Sequence, residues 1–142
     1  IQRMQSGDLV SPEIINRIIG ESLDSARDLK GVVLDGYPRQ LAQAEWLIDN
    51  KTHHGRDIKL IIVLEVPRQE ILNRLKVRGR ADDTPDAIDK RLSIYRSEIY
   101  PMLDYFNDQG VPIIHMSGVG TVGSVHDQIE AELVNRGIVE GV

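Results

Sequence analysis

The seven residues Leu60-Ile61-Ile62-Val63-Leu64-Glu65-Val66 hold six aliphatic side chains without alternation, and Pro67 closes the run. A half-buried strand would alternate apolar and polar residues, and an amphipathic helix would show a polar residue every turn. A continuous β-branched run of this length instead reads as a strand covered on both faces, the kind found in parallel sheets. Gly31-Val32-Val33-Leu34 and Val111-Pro112-Ile113-Ile114-His115-Met116 are two further runs of this kind. Helical patterns separate the three, which predicts an α/β fold with a parallel sheet. In such sheets ligands collect beyond the carboxyl ends of the strands.

The helices carry their own signals. Residues 1–6 read as a helix end closed by Gly7. Ser11 is positioned to cap a second helix with Pro12 at its first position, and Ile14, Ile15, Ile18, Ile19 and Leu23 supply an apolar stripe. Further helices are expected over Gln40–Asn50, Arg68–Val77 and Ser124–Arg136. Asp82-Asp83-Thr84-Pro85 has the chemistry of a helix start, with Ile88, Leu92, Tyr95 and Ile99 as the stripe behind it. Pro101 should kink or divide that helix.

Composition narrows the function. The 142 residues fit one domain, with 41% hydrophobic and 27% charged residues. A net charge of −5 argues against a general nucleic-acid binder, which needs a basic face. There is no cysteine, hence no disulfide, thiolate metal site or thiol nucleophile, and that is compatible with the cytosol. No apolar stretch has the length of a membrane span. The opening Ile-Gln-Arg-Met reads as the middle of a helix, so a piece of a longer protein is expected.

Two constellations carry possible chemistry. Asp35-Gly36-Tyr37-Pro38-Arg39 follows the Gly31–Leu34 run. Taken alone it reads as a turn, with Arg39 reaching to solvent. Gln43 changes the balance, because Arg39 and Gln43 lie four residues apart on one helical face. Together they offer a guanidinium fork, free backbone N–H groups and an amide, suited to an anion at one end and a purine edge at the other. The second constellation places Arg74, Arg78, Arg80 and Arg91 within eighteen residues of an acidic chain. Asp82 and Asp83 supply part of the counter-charge, and a polyphosphate can supply the rest. His53 and His54 lack metal-site spacing. His115 reads as a satisfied polar group, and Ser117–Thr121 as a plain loop.

Three ordered blocks, "SGDLVSPEII", "GVVLDGYPRQLAQAEWL" and "RGRADDTPDAIDKRLSIYRSEIYPMLDYF", resemble the adenylate kinases. These are P-loop nucleoside monophosphate kinases that convert ATP and AMP into two ADP. The resemblance runs from residue 1 to about residue 130, and Arg78–Thr84 is most similar to bacterial members with a lid of only a few residues. It implies a three-layered α/β nucleotide-kinase fold represented without its N-terminal third. Residues 1–10 would end the AMP-binding lid and residues 77–83 would form a minimal ATP lid.

By the same resemblance Asp8, Leu9 and Val10 would lie against the AMP base. Gly36, Tyr37, Pro38 and Arg39 would line the AMP phosphate, and Gln43 would read adenine N1 and N6. Asp35 would hold water around Mg²⁺. Arg78 would contact ATP, Arg74 would lie near its adenine, and Gly120 in the Gly118–Val122 loop would approach that base. Arg80 and Arg91 would clamp the phosphates of AMP and the transferring group, acting with Arg39 as the catalytic cations. The resemblance implies a cytoplasmic, monomeric intact enzyme using ATP, AMP and Mg²⁺, without nucleic-acid or membrane partners.

Two features depart from the family pattern. The long lid is missing, and without cysteine it can hold no thiolate zinc. The phosphate-binding loop is also missing, since no lysine in these residues follows a glycine. The central strand that carries the loop would precede Ile1, leaving this chain a poor enzyme by itself. Two rivals follow: a UMP/CMP kinase of the same fold, against which Gln43 speaks because those enzymes usually carry asparagine there, and a non-catalytic nucleotide-binding domain.

Overall fold

The computed structural model describes residues 11–51 and 55–141. The helix end expected over residues 1–6, the candidates Asp8, Leu9 and Val10, and the His53-His54 pair lie outside them. In chain order the elements are α1 (Pro12–Ser25), α2 (Leu41–Asp49), β1 (Ile61–Glu65), α3 (Arg68–Arg78), α4 (Pro85–Asp108), β2 (Ile113–Ser117) and α5 (Val122–Asn135). They fall into two compact units. One takes residues up to Asp57 together with Tyr95–Asp108, and the other takes Ile58–Ile94 and Gln109–Val142.

The first unit is helical. Its buried residues come from α1 (Leu23), the loop before α2 (Tyr37), α2 (Ala44, Leu47) and the second half of α4 (Met102, Leu103, Phe106). The α1 stripe is narrower than the sequence predicts. Ile15, Ile19 and Leu23 are the sheltered members, whereas Ile14 and Ile18 are 43% and 55% exposed. Gly20 lies on the sheltered side, where a Cβ would come within 3.3 Å of the Trp46 ring, so the missing side chain lets α2 approach α1. Ser11 does hold the N-cap position before Pro12, but its side chain caps nothing. The backbone carbonyl of Ser11 instead accepts from the amides of Ile14 and Ile15. Arg56 fixes the end of the unit by donating to the carbonyls of Ala26 and Leu29.

The second unit holds the sheet. β1 and β2 pair in parallel, Ile61 opposite Ile113 through Glu65 opposite Ser117, as the apolar runs predict. Burial on both faces is not borne out: β1 is only partly covered, and Leu64 is 45% exposed. The sheet has two strands among the described residues, so each strand also has an edge without a ladder partner there. The third expected strand is a correction as well. Gly31–Leu34 is irregular, and Val33 is 87% exposed. A strand is defined by its ladder partner, and among the described residues nothing pairs with this run.

Turn chemistry sets the α3–α4 connection. Gly79 ends α3 in the left-handed region (φ 68°), where its amide bonds to the Leu75 carbonyl. Thr84 Oγ1 accepts from the Ala87 amide at 3.3 Å and starts α4, in line with the Asp-Asp-Thr-Pro signal. Pro101 does not divide that helix, which runs unbroken from Pro85 to Asp108. A proline removes one amide donor, and the bonds on either side hold the 24-residue helix together.

Candidate functional site

The predicted residues fall into two sets, one in each unit. In the first unit Asp35–Gln40 forms a loop that ends on α2. Gly36 turns at φ 73°, and a Cβ there would come within 3.0 Å of the Arg39 Nη2. The Arg39 side chain folds back, Nε donating to the Gly36 carbonyl at 2.7 Å. Asp35 is exposed and has no hydrogen-bond partner among the described residues. It follows an irregular segment rather than a strand, which corrects the expectation of a carboxylate on a strand end.

Gln43 is the buried polar residue of this set, 5% exposed on α2. Its Oε1 accepts from the Arg39 backbone amide at 2.7 Å. Because a backbone N–H can only donate, this bond fixes which end of the amide is oxygen. The Nε2 end keeps its donors free among the described residues. Tyr37 braces the arrangement: its hydroxyl donates to Asn16 Oδ1 at 2.6 Å and lies 3.4 Å from the Gln43 carbonyl. Burial pushes the Tyr37 hydroxyl up from 10.0 to about 12.

In the second unit the arginines divide by partner. Arg74, on α3, donates through Nε to Glu70 at 2.7 Å and through Nη2 to the Gly118 carbonyl at 2.9 Å. The structure therefore brings Arg74 to the loop predicted to meet the same base. Gly118 must lack a side chain, since a Cβ would lie 2.7 Å from Val66 Cγ2. Gly120 adopts φ 125° with Ser124 Oγ 2.6 Å from where its Cβ would be, which also demands glycine. The loop is less plain than its composition suggests, because Thr121 caps α5 by accepting from Ser124 N. Nearby, an open groove of about 450 Å³ lies at the carboxyl ends of both strands, lined by Glu65, Pro67, His115, Ser117 and Val119 among others. His115 Nδ1 is paired with Glu65 Oε1 at 2.9 Å, consistent with a satisfied polar group.

Arg78 and Arg91 meet on one carboxylate. Arg78 Nη2 lies 2.8 Å from both oxygens of Asp83, and its Nε donates to Oδ2 at 3.1 Å. Arg91 Nη1 donates to Asp83 Oδ1 at 3.1 Å, while its Nη2 reaches the Asp82 carbonyl at 2.8 Å. The Asp83 side chain is only 2% exposed. Hydrogen bonding from Arg78, reinforced by Arg91, holds its carboxyl below the usual range. Arg80 has no side-chain partner among the described residues and is exposed. Sequence reasoning missed the Arg68–Asp89 bridge, two bonds of 2.6 and 2.8 Å tying the start of α3 to α4. An arginine at a helix start and an aspartate 21 residues on carry no local pattern that would have revealed it.

The comparisons bear on this geometry. A family model described as Adenylate kinase matches residues 1–111. An adenylate kinase of Phocaeicola vulgatus is 36% identical over 132 residues, which cover 90% of this chain and 69% of that protein. The chain belongs to the adenylate kinase family. The adenylate kinase of Mycolicibacterium paratuberculosis is 39% identical over 122 residues, covering 86% of this chain and 66% of its own length. That of Mycobacterium tuberculosis strain H37Rv is 38% identical over the same number. The chain spans about two thirds of the length of these adenylate kinase relatives. Membership brings the P-loop kinase fold, in which the parallel β1–β2 pair has its place. No helix among the described residues is long and apolar enough to cross a membrane.

Proposed function

We propose that this chain serves an adenylate kinase that transfers the terminal phosphoryl group of Mg·ATP to AMP, giving two ADP. The observation that carries the choice of AMP is Gln43. Its oxygen is oriented by a main-chain donor and its N–H₂ end is free. Adenine presents an acceptor at N1 beside a donor at N6, which complements such an amide; uracil places its acceptors on carbonyls either side of a ring N–H, a different arrangement that AMP and UMP kinetics distinguish. Arg39, with two guanidinium nitrogens left over beyond the Gly36 bond, is suited to the AMP phosphate. Arg74 and the Gly118–Gly120 loop suit the ATP base, Arg78 suits ATP, and Arg80 and Arg91 suit the phosphates of AMP and the transferring group.

Phosphoryl transfer asks a protein to align two anions and to spread developing charge over fixed cations. It needs no protein nucleophile. Magnesium, entering with ATP, would neutralise phosphate charge, and Asp35, an exposed carboxylate without a partner among the described residues, fits the water shell of that ion. The short Arg78–Asp83 connection between two helices suits a closure that keeps water from the transferring group.

The alternatives are a UMP/CMP kinase of the same fold and a nucleotide-binding domain without catalysis. One experiment separates them. The segment of the M. paratuberculosis relative that precedes the matched residues is fused upstream of Ile1, and ADP is followed from ATP with AMP or UMP. Turnover of about 1–100 s⁻¹ with AMP is expected, against negligible ADP from the 142-residue chain alone. Preference for UMP would select the pyrimidine kinase. Nucleotide binding without ADP in the fusion would select the non-catalytic domain.

A further inference from the structure

We propose that Asp83 is a positioning residue, whose buried carboxylate sets the spacing and orientation of Arg78 and Arg91 for a bound phosphate chain. The proposal rests on the phosphate reading of those arginines given above. Two guanidinium groups brought this close repel each other, and a shared anion is what allows them to sit side by side. Asp83 Oδ1 accepts from both, Arg78 at 2.8 Å and Arg91 at 3.1 Å, from helices that flank the turn. The turn carries a main-chain bond of its own, the Asp83 amide donating to the Arg80 carbonyl at 3.1 Å.

The bonding pattern leaves the arginines usable. Arg78 spends Nε and Nη2 on Asp83, and Arg91 spends Nη1 and Nη2 on Asp83 and Asp82. Arg78 Nη1 and Arg91 Nε have no partner among the described residues, and the two side chains are 39% and 47% exposed. Each therefore keeps a nitrogen donor unspent among the described residues while its other donors are held by Asp83 and Asp82. Arg80 lies between them in sequence and has no side-chain partner among the described residues. The Asp83 side chain is only 2% exposed, so the carboxylate is held against the two arginines and not in solvent.

The test uses the 142-residue chain and inorganic tripolyphosphate, with affinity read by calorimetry. Asp83→Asn should weaken binding roughly tenfold or more, the scale of losing one charge-assisted hydrogen bond. Asp83→Glu, which keeps the charge, should recover part of it. Asp89→Asn is the control: it breaks another bidentate bridge between α3 and α4, at Arg68, and should lower the thermal midpoint without moving affinity. Should Asp83→Asn fail to fold, Arg78→Lys keeps the charge but loses the fork, and should weaken binding similarly. Tighter or unchanged binding in Asp83→Asn would overturn the proposal, tighter binding marking Asp83 as a competitor of phosphate. Arg80→Ala distinguishes the premise. If that variant binds as well as the wild type, or the wild type does not bind, the phosphate reading itself fails and the proposal goes with it.

Discussion

The Gln43 set and the Asp83 set use opposite means to hold polar groups in place. Around Gln43 the contacts are neutral and part-buried: the Arg39 backbone amide on Oε1 and, between side chains, the Tyr37 hydroxyl on Asn16. Around Asp83 they are ionic, made by side chains, and built from arginines that remain partly exposed. A neutral, fixed amide discriminates between ligands by the pattern of donors and acceptors they present. A cluster of cations recognises charge whatever carries it, and suits the handling of phosphate. The two sets should therefore respond differently to substitution, salt and pH.

The largest difference is expected in rate. In the fusion described above, Arg80→Ala should lower turnover by roughly 10³–10⁵-fold, as for other arginines in phosphoryl transfer. Its thermal midpoint should barely move, because the side chain has no partner to lose. A stability loss with turnover intact would reduce Arg80 to a structural charge. Gln43→Ala should act on selectivity, raising the KM for AMP by an amount equivalent to about 1–3 kcal/mol and narrowing its lead over UMP. Unchanged AMP kinetics would remove Gln43 from the site.

Smaller effects should appear with pH and salt. The Tyr37 hydroxyl is raised in the folded state, so the stability it contributes is present below its ordinary value and lost as pH rises from 10.0 towards about 12. Tyr37→Phe should flatten that alkaline slope in thermal unfolding. Asp83 is shifted the other way. Its contribution is present above the ordinary aspartate range and is lost as pH falls through its depressed value. Asp83→Asn should flatten the acid limb. Raising salt should weaken the phosphate affinity of the arginine set and leave the Tyr37 slope nearly unchanged. Equal salt sensitivity would erase the distinction between the sets.

Much of this was legible in the sequence, for reasons specific to each element. The β1 and β2 runs are continuous in composition, and a parallel ladder followed. Gly79, Thr84 and Pro85 are local signals, and the α3–α4 turn formed where they stand. Gly31–Leu34 looked the same but is not paired, since composition reports a tendency to be a strand and says nothing of a partner. The four arginines were visible as a group. Which one is free was not, because Arg78 and Arg91 depend on the angle at which two helices present them to Asp83. Arg74 reached the Gly118 carbonyl across 44 positions, a contact that no window of residues contains.

The orientation of the Gln43 amide has a consequence for how such a site can change. Its oxygen end is dictated by the peptide backbone, which substitution cannot alter, so mutation can vary only the outward-facing end. Exchanging one nitrogen for oxygen, Gln43→Glu, would keep the inner bond and turn the outer end from donor to acceptor. That end would then repel N1 of adenine and attract a ring edge that donates, as N1–H of guanine does. A single-nucleotide change in a glutamine codon is enough to make the exchange. At this position, then, substitution acts on the outward-facing end of the side chain while the inner bond to the Arg39 amide stays.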